Sequence, residues 1–177
     1  MMRRLVEDWS NTWDASAGLS TTPSGPSRRS PAALLLIGFI AGALATLTFH
    51  QGIIWLLSAL GALQGNVYSW RPVEPFGVPQ VLNLAFWGGL WGCVFALIAD
   101  RVPRNWPLWL AGLLFGVIAP TLVGWFVIAP LRGQPMAQGF EPARMWAGPV
   151  INGAYGLGTA VFYAILERWA SARSRRV

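Results

Sequence analysis

The chain has 177 residues, of which 54% are hydrophobic and 11% charged, whereas an ordinary soluble domain carries about a quarter charged residues. All 13 basic residues are arginine, against 7 acids, which gives a net charge of +6 with one histidine and one cysteine. These numbers exclude an ordinary soluble domain, an internal disulfide, a Cys-rich zinc or iron–sulfur site and bis-His haem ligation, and they point to an all-α membrane protein.

Residues 1–14 read as an interfacial amphipathic helix. Leu5, Trp9 and Trp13 recur at helical spacing, while Arg3 and Arg4 suit acidic headgroups. Glu7, Asp8 and Asp14 interrupt any apolar run, so this stretch does not read as a cleavable signal peptide. Residues 15–30, rich in Ser, Thr, Gly and Pro, read as a linker.

Four charge-free intervals follow, Ser30 to Trp70, Pro75 to Ala99, Asn105 to Leu131 and Met145 to Leu166. Each exceeds the ~20 residues that an α-helix needs to cross a bilayer, and an ionised side chain at the bilayer centre costs at least ~2.5 kcal/mol. The spacing predicts a transmembrane domain over 31–170, with spans at about 32–63, 79–99, 107–130 and 146–168, and a basic tail over 171–177. The first interval outruns a perpendicular span. A single long helix ending near Gly61 to Gly65 is expected, because Gly52 to Leu60 holds no strong breaker. Pro120 is expected to kink the third span.

Ten arginines flank the ends shared by the two termini and the second loop (Arg3, Arg4, Arg28, Arg29, Arg101, Arg104, Arg168, Arg173, Arg175, Arg176), against Arg71, Arg132 and Arg144 in the other two loops. Basic residues near span ends are retained inside the cell, so both termini are expected to be cytoplasmic.

The two halves resemble each other. Gly38, Gly42 and Ala45 form a small-residue seam that recurs at the same spacing as Gly112, Gly116 and Ala119. In the second and fourth spans, Gly89-Leu90, Val94-Phe95 and Asp100-Arg101 align at one offset with Gly156-Leu157, Val161-Phe162 and Glu167-Arg168, as Glu74-Pro75 does with Glu141-Pro142. Gly88 and Gly92 add a further close-packing ridge. The expected architecture is four transmembrane helices as two tandem helical hairpins, forming a bundle with a pseudo-twofold axis along the membrane normal.

His50, Gln51, Asn83 and Asn152 are the polar interruptions expected to gather near the outer face. Trp87 and Trp91, one turn apart, offer rings for a ligand or partner helix. Such a group suits a small ligand, a lipid headgroup, a quinone or a pigment, and it equally suits hydrogen bonding between helices. Glu74 and Glu141 sit in loops before prolines, near Arg71 and Arg144, where they order the loops. No nucleophile, phosphate loop or metal-ligand spacing accompanies them, so no catalytic residue and no metal site are predicted.

The runs Thr48-Phe49-His50-Gln51-Gly52, Pro75-Phe76-Gly77-Val78-Pro79 and Phe86-Trp87-Gly88-Gly89-Leu90-Trp91-Gly92 resemble uncharacterised small four-span membrane proteins of proteobacteria over about Gly38 to Arg168. The resemblance implies residence in the bacterial inner (cytoplasmic) membrane and brings no activity with it. Thr46, His50 and Trp55 are also similar to the bacteriochlorophyll-ligating helix of light-harvesting polypeptides, which implies His50 as a pigment ligand. Those polypeptides are short single-span chains with a different spacing to the Trp.

The leading expectation is a non-catalytic integral protein that packs by glycine seams and aromatic faces against other integral membrane subunits of a respiratory or photosynthetic complex. Nucleic acid is not an expected partner, and no cofactor is predicted. The alternatives are a small carrier or channel with a polar site near the outer face, and a protein binding lipid, quinone or bacteriochlorophyll.

Overall fold

The computed structural model describes residues 30–103 and 105–174. The interfacial segment over 1–14 and all but the last residue of the linker lie outside the described residues. Four helices are long and apolar enough to cross a membrane. They are α1 (Pro31–Ala59), α2 (Gln80–Ala99), α3 (Leu108–Leu131) and α4 (Ala147–Ser174). The α1–α2 loop carries a two-residue antiparallel ladder, β1 (Pro72–Val73) against β2 (Val78–Pro79), and a single turn, Pro142–Met145, precedes α4.

Local chemistry sets the ends. The Ser30 hydroxyl accepts the Ala33 amide at 3.3 Å, and Pro31 occupies the first turn, where a missing N–H costs nothing. Gly61, at φ 70°, turns the chain out of α1, with its amide on Ser58 O and the Ala62 amide on Leu57 O. The helix therefore stops a few residues short of the expected 63. At the other extreme α4 runs to Ser174 and takes in residues assigned from sequence to the basic tail. Ala170, Ser171, Ala172 and Arg173 include no Gly or Pro to end it.

Neither π turn was foreseen. One spans Thr46–His50 in α1 and the other Gly124–Ile128 in α3. Pro120 lies inside helical structure that continues to Val123, and the break in α-helical bonding falls at Gly124 rather than at the proline. Proline cannot donate to Gly116 O, and the Thr121 hydroxyl donates to that carbonyl at 3.3 Å instead.

Packing is governed by glycine. Gly38 and Gly42 of α1 lie on Gly92 and Gly88 of α2, and a Cβ on any of the four would come under 3.0 Å from the opposite helix. Gly112 and Gly116 of α3 meet Gly156 and Asn152 of α4 in the same way. Lipid tails are as apolar as leucine, so close van der Waals contact of this kind drives helix association in a bilayer. The register corrects the sequence alignment. Gly92, not Gly89, holds the place that Gly156 holds on α4. Gly89 instead lies under the Phe39 ring, as Gly153 lies under Leu113 and Val117. The α2–α4 alignment is thus out of step by nearly one helical turn.

The remaining contacts join these pairs. Phe49 of α1 covers Gly158 of α4 and meets Phe162 edge-on at 6.0 Å. Between α2 and α3, Phe115 packs against Trp91 and Phe95, with ring centroids 5.9 and 5.4 Å apart. Phe95 is fully buried and centres a cluster with Ala41, Ala96, Phe115, Ala160 and Tyr163.

Candidate functional site

The polar residues inside the bundle are best understood through their partners. Gln51 is 2% exposed, and its Oε1 accepts the Tyr68 amide at 2.8 Å. The Tyr68 hydroxyl donates to Leu47 O, within the α1 π turn, at 2.7 Å. Tyr68 holds φ 49° to make this return. The α1–α2 loop is thereby clamped onto the segment where α1 departs from α-helical bonding, and a buried glutamine gains the partner that burial demands. Removing the hydroxyl in Tyr68→Phe should cost about 1 kcal/mol and speed protease cleavage within 62–79. Limited proteolysis in detergent measures this, and unchanged cleavage would remove the clamp's significance.

Asn152 Nδ2 donates to Thr121 Oγ1 at 3.0 Å, and that hydroxyl itself donates to Gly116 O. One chain of bonds thus links α4 to the carbonyl that Pro120 leaves unpaired. A second link spans the bundle: the buried Tyr155 hydroxyl donates to Gly88 O at 2.6 Å, from α4 to α2. Interhelical bonds in membranes contribute ~0.6 to 2 kcal/mol. Tyr155→Phe should lower stability by that amount in a denaturant titration in mixed micelles, and no change would reject the link. Sequence reasoning passed over Tyr155, Thr121 and Tyr68. All three lie inside charge-free intervals, and Tyr155 and Thr121 fall within helices long enough to span a membrane, where a hydroxyl must find a partner within the protein; that was the available signal.

The other expected residues are dispersed in their bonding. His50 sits half-buried in the π turn, with Nδ1 buried and lacking a hydrogen-bond partner. Asn83 is half-buried in the first turn of α2. Among the described residues no hydrogen bond joins His50, Gln51, Asn83 and Asn152 to one another; Gln51 binds the loop and Asn152 binds α3. The two tryptophans also part. Trp91 packs inward on Phe115, while Trp87 is 54% exposed and meets Phe86 edge-on. Phe86, 52% exposed, also meets Phe39 at 6.0 Å, so an aromatic face lies on the outside of α1 and α2.

The loop acids are simpler. Glu141 pairs with Arg144 at 2.9 Å, both well exposed, a pair contributing at most about 1 kcal/mol. Glu74 is exposed beside β1. Among the described residues no group of three or more His, Cys, Asp or Glu side chains is placed to hold a metal ion. Comparison of the chain with protein-family models, with curated proteins and with solved structures finds no match.

Proposed function

We propose that the chain is a non-catalytic accessory or structural subunit, packed against other integral subunits of a bacterial membrane complex of the respiratory or photosynthetic kind. In this reading it is a small four-span inner-membrane protein with both termini cytoplasmic, built of two tandem hairpins about a pseudo-twofold axis. The matching places of Gly38/Gly112, Gly42/Gly116 and Gly92/Gly156 support the duplication.

The glycine seams are occupied within the chain, so the surface for a partner is aromatic. The observation that carries the proposal is the Phe39–Phe86–Trp87 face. Trp87 stands seven residues into α2, about 10 Å from its start, deeper than the interfacial belt where an indole finds both lipid and water. An indole N–H at that depth gains a partner only from protein. A photo-crosslinker in place of Trp87, activated in native membranes, should yield one adduct of defined mass, and the same polypeptide should copurify stoichiometrically in mild detergent. Adducts with lipid alone, together with a monodisperse monomer or homo-oligomer, would refute the subunit role. Trp87→Ala should change the stability of the isolated bundle by no more than ~0.5 kcal/mol.

A carrier path between the hairpins is less well supported, because Phe95 and its neighbours fill that space. Ligand binding has one observation in its favour, the unpartnered Nδ1 of His50. On that reading a quinone, lipid or bacteriochlorophyll copurifies and is lost in His50→Ala. The absorption spectrum and lipid extract of the purified protein decide it.

A further inference from the structure

Where α1 and α3 begin and α2 and α4 finish, a groove of about 490 Å³ opens between the start of α3 and the last turns of α4. Its lining is mixed, with Leu108, Tyr163, Ala164 and Ala172 beside the polar Glu167, Arg168 and Ser171. Trp109 and Trp169, 51% and 74% exposed, flank it in sequence, and exposed indoles at span ends mark headgroup depth. Arg168 is exposed and forms no ion pair among the described residues, whereas Glu167 has a partner within the chain. In the sequence, ten of the thirteen arginines belong to the two termini and the α2–α3 loop, the segments that adjoin α1's start, α2's end, α3's start and α4's end.

We propose that this groove seats an anionic phospholipid, with the phosphate over Arg168 and an acyl chain running inward past Leu108 and Ala164. Charge decides the class of lipid. An arginine-rich end attracts net negative headgroups, and basic recesses between spans on the arginine-rich side suit them. The Glu167 carboxylate disfavours a phosphate directly above it and so directs the headgroup to the Arg168 side. The site is independent of whether the bundle joins a larger complex, because the isolated chain already contains it.

The test titrates the purified full-length chain in micelles with phosphatidylglycerol and, separately, with phosphatidylcholine of the same chains, counting bound lipid by native mass spectrometry. Phosphatidylglycerol should bind first and about fivefold tighter, the contribution of one arginine near a membrane surface. Arg168→Gln should abolish that preference, and Arg132→Gln, in an opposite-end loop, should retain it. Ala164→Trp, which fills the groove, should weaken both lipids. Arg168 is exposed, so its variant keeps the fold even if the tryptophan variant does not. Equal affinity for the two lipids in the parent chain, a preference that survives Arg168→Gln, or one lost equally in Arg132→Gln would each overturn the assignment.

Discussion

Gly88→Leu and Gly42→Leu should each lower stability by about 3 kcal/mol or more, at the upper end of the range for overpacking. A Cβ at position 42 would run into the Gly88 carbonyl, which is fixed in α2. One at position 88 would meet the Thr46 hydroxyl and Gly42 O. Thr46 cannot retreat without loss, because its hydroxyl donates to Gly42 O at 3.0 Å and it is 3% exposed. The helices must therefore move apart, forfeiting contacts along the whole seam. The matched control is Gly52→Leu. Nothing lies within 4 Å of a Cβ there, and the change should fall within ~0.5 kcal/mol of the parent. Denaturant titration in mixed micelles reads all three. Equal tolerance at positions 42 and 52 would contradict the seam.

Phe95→Ala should be the most costly side-chain truncation. Phe95 is fully buried and contacts Phe115 at 5.4 Å and Tyr163 at 5.9 Å between ring centroids. In a soluble core a Phe→Ala change costs about 3–5 kcal/mol, the sum of a transfer and a cavity contribution. A bilayer removes most of the transfer part, since the separated helices sit in hydrocarbon. What remains is lost dispersion contact, so a loss of about 2–3 kcal/mol is expected. Phe86→Ala, on the exposed face, should cost under ~0.5 kcal/mol in the isolated bundle. Similar losses at the two positions would mean that Phe95 does not anchor the core.

These contrasts mark what could be read from residues alone. Charge-free intervals located all four helices, because the cost of burying an ion in lipid is large and local. The seam glycines were visible for the same kind of reason, since spacing by four residues puts them on one helix face. Which glycines oppose which was not visible. Gly89 and Gly92 are both small, and only the crossing geometry selects Gly92. The polar residues were identified by type, yet their partners depend on the return path of a loop: Gln51 meets Tyr68 seventeen residues away. The π turn of α1 also went unseen, because the group on its Leu47 carbonyl, the Tyr68 hydroxyl, comes from a loop twenty-one residues away.

Both seams are assembled from neighbouring stretches of chain. The first is complete by Ala99, before Leu108 begins the second. Each pair of helices holds its seam within itself, and the two pairs meet through Phe49, Phe115 and Tyr155. A chain severed between the pairs and expressed as two polypeptides should therefore reconstitute in the bilayer, whereas a cut inside either pair should not.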